Sequence, residues 1–214
     1  MSFDRLAPHY SRMERLLAGK TLQECRLAFL GEARGAQNIL LIGEGHGRFL
    51  NEIVSVNSSA RISCLDASAG MLEVARHRLN NRGVNLDRVK FIHKFALEWE
   101  PDERFDFIAT QFFLDCFAEE ELRTVILKIE SLLEFGAKWL ICDFQNADRG
   151  WRALRSRIVL SLAYSFFRYT TGLSARKIVP PQSFLAERGF VRTRRAEFNF
   201  RLLYAEMWEK RPAV

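Results

Sequence analysis

Three glycines at every second position, directly behind four aliphatic residues and directly ahead of an amphipathic run, mark residues 38–50, NILLIGEGHGRFL. A short aliphatic run bounded by glycine reads as a buried strand, and the apolar residues of RFLNEIVSV recur at helical steps. The turn between them must be tight, and Gly43, Gly45 and Gly47 let the backbone turn sharply into the next helix and pass close to a ligand. The alternation continues along the chain. RISCLD, VKFIHKF, FDFIATQF and AKWLICDF read as strands, with SAGMLEVARHRLNNRG and EEELRTVILKIESLLEFG as helices closed by Gly83 and Gly136. Strand and helix in strict alternation require a parallel sheet with helices on both faces.

The chain changes character from Pro180 onward. PPQSFLAERGF gives a breaker, a short helix and a glycine, and VRTRRAEFNF and RLLYAEMWEKR then alternate like two strands joined tightly. The expected fold is α/β, a three-layer doubly wound and mostly parallel seven-stranded sheet with a C-terminal antiparallel hairpin. At 214 residues, one domain over 1–214 accommodates this. It has a helical lead-in over 1–35 and a helical cap inserted at 145–180. A hydrophobic fraction of 48% with 27% charged residues fits a soluble globular domain and argues against disorder.

In open α/β sheets, ligands bind beyond the carboxyl ends of the strands where the strand order reverses, so the glycine turn is a ligand loop. A dinucleotide loop wants G-x-G-x-x-G, and the third glycine's place is taken here by Arg48. No G-x-x-x-x-G-K-[ST] is present, which removes a P-loop. The spacing is G-x-G-x-G, followed nineteen residues after Gly47 by Asp66 at the end of the second strand.

This pattern resembles the class I S-adenosylmethionine (SAM)-dependent methyltransferases. NILLIGEGHGRFL is similar to the first family motif, ISCLDASAGMLEVARHRL to the second, VKFIHKFALEW to the third and FDFIATQFFLDCF to the fourth. FDRLAPHYSRME and the final hairpin loosely resemble the ubiquinone/menaquinone methyltransferase relatives. The resemblance implies SAM as cofactor, S-adenosylhomocysteine (SAH) as product, and a fold with a Rossmann-like order. It implies that Gly43, Gly45 and Gly47 line the methionine and ribose part and that Asp66 accepts both ribose hydroxyls. Met71 would lie along adenine, Ala96 would offer backbone to the adenine edge, and Ala67 and Gln111 would complete the cofactor's surroundings. Two departures stand out. Leu41 occupies the position where many relatives carry an acid, so Glu44 is the candidate for the methionine amine; Phe95 replaces the acid that often receives the adenine amine.

Methyl transfer from a sulfonium is an in-line displacement that depends chiefly on alignment. Where the acceptor must lose a proton, a base near the methyl is needed. Position nominates Asp115, Asp143, His46, and His9 or Tyr10. Each has a plainer reading: Asp115 as the start of a helix, His46 as loop filling, Tyr10 as a lid over the cofactor.

The inserted cap carries Trp151, Leu154, Ile158, Leu162 and Tyr169 on one face, edged by Arg149, Arg152, Arg155, Arg157, Arg168, Arg176 and Lys177. Such a helix could enclose an apolar acceptor, touch an anionic membrane through 149–177, or pack as a cap or dimer face. The expected acceptor is small and apolar or aromatic, such as a quinol precursor or lipid, and the protein a monomer or homodimer.

The net charge of +6 permits an anionic partner, but no basic run and no Asn/Asp-Pro-Pro-aromatic motif points to nucleic acid. No Tyr-x-x-x-Lys occurs, against a short-chain dehydrogenase, and an aminopropyltransferase would want more acids. The competing reading is a SAM-fold binding or scaffold protein without catalysis. Cys25, Cys64, Cys116 and Cys142 are dispersed, and no residues have metal-ligand spacing. With no secretory signal and no apolar run of ~18–20 residues, a cytoplasmic setting is expected.

Overall fold

The computed structural model describes residues 20–146 and 177–210. The expectations placed on His9 and Tyr10, and those on the apolar stripe and arginines of residues 149–176, lie outside the described residues.

Helix α1 covers residues 20–27 and a 3-10 turn follows at Leu30–Ala33. Then come β1 (Asn38–Ile42), α2 (Arg48–Val56), β2 (Arg61–Asp66), α3 (Ala69–Asn80), β3 (Val89–His93) and β4 (Phe105–Gln111). A second 3-10 turn at Leu114–Cys116 leads to α4 (Glu119–Leu132) and β5 (Leu133–Phe144). The chain ends with α5 (Gln182–Glu187), β6 (Phe190–Phe198) and β7 (Leu203–Lys210). The seven strands order as β3-β2-β1-β4-β5-β7-β6. The first five are parallel, and β7 runs antiparallel to both β5 and β6. This is the doubly wound sheet and terminal hairpin expected from the alternation of apolar runs.

The sheet's two-residue period builds a core on each side. Ile39 and Leu41 of β1 face α1, α2 and α3, packing with Cys25, Phe49, Ile53 and Leu79, whereas Leu40 and Ile42 face α4 and α5, packing with Leu122, Ile126, Trp139 and Leu185. Cys25, Cys64 and Cys142 are buried free thiols, as small apolar residues would be. Strand order reverses between β1 and β4, so the crevice for a ligand opens at their carboxyl ends.

One expectation fails. Gly136 does not close α4; it lies within β5 with φ +73. The apolar run passes from Leu132 of α4 straight into Leu133 of β5, and the β4–β5 register shifts between Phe105 and Phe107. The glycine serves an irregular strand entry, a use that helical periodicity does not distinguish from a cap.

Buried Asn57, just past α2, ties the amino-terminal segment to the sheet. Its Nδ2 donates to the carbonyls of Ala33 and Ala36, both at 2.8 Å, and its Oδ1 accepts from the amide of Ala60 at 2.9 Å. Asn57→Ala leaves these groups without partners, so we expect a loss of roughly 2–3 kcal/mol, read by denaturant unfolding. No helix among the described residues is long and apolar enough to cross a membrane.

Candidate active site

The glycine loop emerges from β1 with Gly43, Gly45 and Gly47 all left-handed, at φ +66, +63 and +76. A Cβ on Gly47 would stand 2.8 Å from the Cα of Ala75 in α3, so the glycine lets the start of α2 press against α3. A Cβ on Gly43 would stand 2.6 Å from the Phe113 ring. Gly45 has open space, and its N–H donates to Asp66 Oδ2 at 2.9 Å. The Ser68 amide donates to Asp66 Oδ1 at 2.8 Å. Two backbone amides therefore fix the carboxylate at the end of β2, beside the cavity.

Glu44 is buried beneath the loop. Its Oε1 accepts from the amides of Phe49 and Leu50 at 2.8 and 3.0 Å, in the first turn of α2. Gly47 at the N-cap has no side chain, so Glu44 satisfies donors that an ordinary cap would take. Burial pushes the Glu44 carboxyl up to about 7, against the lowering effect of the Leu50 amide, the Arg26 charge and the Phe49 amide. Arg26 reaches the site from α1; it is buried, and its guanidinium lies 4.9 Å from the centre of the Phe112 ring.

Gln111, the last residue of β4, is 5% exposed, and neither polar atom of its carboxamide has a hydrogen-bond partner. Phe112 follows in a left-handed conformation at φ 54, costly for an aromatic residue, with its N–H donating to the Cys142 carbonyl at 2.7 Å. These groups enclose a cavity of about 400 Å³, closed on one side by Met71, Phe95, Ala96 and Leu97 and on another by Phe112, Phe113 and Phe117. Phe95 and Leu97 are 45% and 42% exposed at its rim. Buried Gln111 atoms without partners, two fixed Asp66 oxygens and an apolar slot fit a ligand with both polar and aromatic parts.

A model of the methyltransferase domain family matches residues 39–136, from β1 into β5. That stretch is similar to a methyltransferase domain, and the fold is the Rossmann-like methyltransferase fold. A demethylmenaquinone methyltransferase of Clavibacter sepedonicus is 28% identical over 145 residues, covering 67% of this chain and 57% of the relative. Among solved structures, a mitomycin 7-O-methyltransferase superposes with a TM-score of 0.71 at 16% identity, over 99% of this chain and 61% of that one. A magnesium protoporphyrin IX methyltransferase of Synechocystis with bound SAH gives 0.65 at 13% identity, over 92% and 84%. The chain thus spans less than two thirds of the length of the first two, and the structural likenesses establish the fold.

Gly43, Glu44, Gly45, Asp66, Ala67, Met71, Ala96 and Gln111 all line the cavity, as does His46. Gly47 supports the loop from behind. Leu41, where many methyltransferases carry an acid, is in the core at 1% exposure. His46 is buried, and its Nε2 accepts from Arg48 Nε at 2.8 Å. Asp115 and Asp143 line a separate cavity of about 270 Å³ beyond the 3-10 turn. Asp115 does not begin a helix: α4 starts at Glu119 with Ala118 at its N-cap, and Asp115 lies within the turn.

Sequence reasoning missed Arg26, Phe113, Phe117 and Tyr204. Arg26 sits in an amphipathic helix with several other charges, and only the docking of α1 against the sheet separates it from them.

Proposed function

We propose that this chain transfers a methyl group from SAM to a small apolar or aromatic acceptor, with the cofactor in the crevice at the carboxyl ends of β1 and β4. The observation that carries this reading is the Asp66 carboxylate, held by the Gly45 and Ser68 amides at the end of β2. Two hydroxyls on adjacent ribose carbons match the two oxygens of one carboxylate, and charge-assisted bonds of this kind are the strong ones.

The other roles follow from place. Met71, Phe95 and Leu97 cover the adenine by apolar contact, which substitutes for the acid absent at Phe95. Glu44 takes the methionine ammonium in place of the acid absent at Leu41, Arg26 takes the carboxylate, and Gln111 gives its carboxamide to the same end of the cofactor. SAM supplies an electrophilic methyl on a sulfonium. The protein's part is to align the acceptor in line with that methyl, and Phe112, Phe113 and Phe117 form the apolar wall that does so. The demethylmenaquinone methyltransferase among its relatives supports an apolar, aromatic acceptor. With its Nε2 facing Arg48, His46 serves as a base only through Nδ1 or after that bond opens. The scaffold reading has less support, because the groups that compensate for Leu41 and Phe95 already line the cavity.

Glu44 gives the reading a pH signature. Its folded value of about 7 lies above the ordinary carboxylate value of 4.5. Its contribution to the stability of the ligand-free protein is therefore full below about 4.5 and lost as pH rises through 7; the shift corresponds to roughly 3 kcal/mol. An ammonium placed beside it favours the ionised form, so binding releases a proton below pH 7. Calorimetric titration with SAH is expected to show micromolar binding that tightens by about tenfold from pH 6 to pH 8. Glu44→Gln, which keeps an acceptor for the α2 amides, flattens this dependence. No heat with either SAM or SAH at any pH contradicts the proposed function.

A further inference from the structure

Phe107 and Ala109 of β4 belong to the core that holds Cys25 of α1. The two-residue period of the strand puts Gln111 next in the same row, where the row leaves the core and enters the wall of the larger cavity. Gln111 is 5% exposed, and among the described residues neither its Nε2 nor its Oε1 has a hydrogen-bond partner. Native interiors seldom leave both ends of a buried carboxamide unbonded, so the two atoms imply ligand groups. The backbone beyond fixes the side chain's origin. Gln111 pairs with Cys142 of β5, the Phe112 N–H donates to the Cys142 carbonyl at 2.7 Å, and the Phe113 N–H donates to Asp143 Oδ1 at 3.1 Å. Between these bonds Phe112 is held at φ 54, and strain of this kind gathers at ligand sites.

A carboxamide has a donating end and an accepting end, and strand order decides what each can meet. With the ribose at Asp66 after β2 and the adenine beside Phe95 after β3, the nucleoside runs from β1 toward the β3 edge of the order β3-β2-β1-β4. Gln111 ends β4, on the opposite flank of β1, where Phe113 and Phe117 line the cavity. It therefore stands between the amino-acid end of the cofactor and the aromatic wall. A methionine carboxylate only accepts, so it takes an N–H of Nε2, and the methionine ammonium is assigned to Glu44. Oε1 still needs a donor. The phenylalanine rings of the wall supply none, and the Cys116 thiol is directed to the Phe112 carbonyl at 3.8 Å and to Asp115 Oδ1 at 3.7 Å.

We infer that Gln111 selects the methyl acceptor, its Oε1 accepting a hydrogen bond from a hydroxyl or a neutral N–H on an aromatic molecule. A neutral carboxamide removes no proton, so Gln111 recognises and orients the acceptor and does not serve as its base. An acceptor without a donor would bury Oε1 unbonded, and a site built to bond such a group discriminates against the analogue that lacks it. The inference rests on the methyltransferase reading and narrows its acceptor from apolar or aromatic to aromatic with a hydrogen-bond donor.

Three matched probes test it: 4-methylphenol, 4-methylaniline and 4-methylanisole, titrated calorimetrically at neutral pH into the full chain saturated with SAH. At least one of the two donors is expected to bind about tenfold or more tightly than the methyl ether, and the tighter of the two places the donor on oxygen or on nitrogen. Gln111→Met is close in volume and cannot form either bond. With its fold checked by circular dichroism, it should bind all three probes alike, while its affinity for SAH falls by no more than about fivefold because Arg26 keeps the carboxylate. Equal binding of the three probes to the unmodified protein, or binding of none, overturns the inference. So does a preference that persists in Gln111→Met, which would come from the size of the methoxyl group. A large loss of SAH affinity in that variant with the preference unchanged would assign the carboxamide to the cofactor alone and also overturns it. SAH titrated by itself into the unmodified protein shows whether the cofactor reading stands when the acceptor inference fails.

Discussion

Asp66→Ala lowers the affinity for SAM and SAH by roughly one to two decades, through loss of two charge-assisted bonds at ~1.5–3 kcal/mol each with partial rescue by water. The substitution also frees the amides of Gly45 and Ser68, which the carboxylate now holds at 2.9 and 2.8 Å. Gly45 is half-buried beside the cavity, where water can replace the lost acceptor, and the fully buried Ser68 still caps α3 through its hydroxyl. The fold should therefore persist, with a melting temperature within a few degrees of the parent. Asp66→Asn separates the two contributions: it retains one acceptor oxygen, and its loss in affinity should fall between those of the parent and the alanine variant. Calorimetry with SAH reads all three. Unchanged affinity in the alanine variant would remove Asp66 from the site and with it the ribose contact.

Gly47→Ala acts on the fold before it acts on the ligand. The new Cβ would lie 2.7 Å from the Ala75 Cβ and 2.8 Å from the Ala75 Cα, so helix α3 itself must move. The residue also stands at φ +76, where an L side chain costs about 1–2 kcal/mol. With overpacking of about a further 1–3 kcal/mol, the expected destabilisation is roughly 2–5 kcal/mol, measured by urea denaturation. Gly83→Ala is the internal comparison. It shares the left-handed backbone at φ +66, but nothing lies within 4 Å of its added Cβ, so only the backbone cost of about 1 kcal/mol applies. Equal losses at the two positions would mean that α2 and α3 do not depend on this close approach. Since Gly47 also sets the direction of α2 and of the amides that Glu44 accepts, the alanine variant should bind SAH more weakly as well.

These positions also show which parts of the molecule can be read from the chain. The strands and the order of helices were legible because burial on both sheet faces writes continuous aliphatic runs, and these leave little room for another fold. The glycine loop was legible for a related reason: three glycines in alternate positions call for backbone freedom, and all three are left-handed. Gly136 was misread because a glycine ending an apolar helix and one inside an irregular strand entry look alike until the register with β4 is known. Asp115 and Asp143 were correctly placed near strand ends, but they were assigned to the neighbourhood of the methyl. The 3-10 turn at Leu114–Cys116 instead gives them a cavity of their own, and no local pattern encodes that separation. Arg26 and Tyr204 owe their places to contacts 86 and 61 residues away, with Phe112 and Asp143, and such partners emerge only when the sheet is assembled.

Under the proposed function, the loop chemistry would let a chain without two acids common among methyltransferases hold the same ligand. Leu41 belongs to the core, so the acid moves three residues along to Glu44, where it serves both the α2 amides and the cavity. Its elevated pKa is the physical cost of that buried position, which a cofactor ammonium placed beside it, as proposed, would relieve.

The most direct test is a crystal structure of the chain grown with SAH. The account predicts density along Gly43–Gly47 with both ribose hydroxyls on the Asp66 carboxylate, the ammonium beside Glu44 and the adenine between Met71 and Phe95. A cavity filled by the Phe95 and Phe113 side chains, or SAH bound elsewhere with no contact to Asp66, would contradict it.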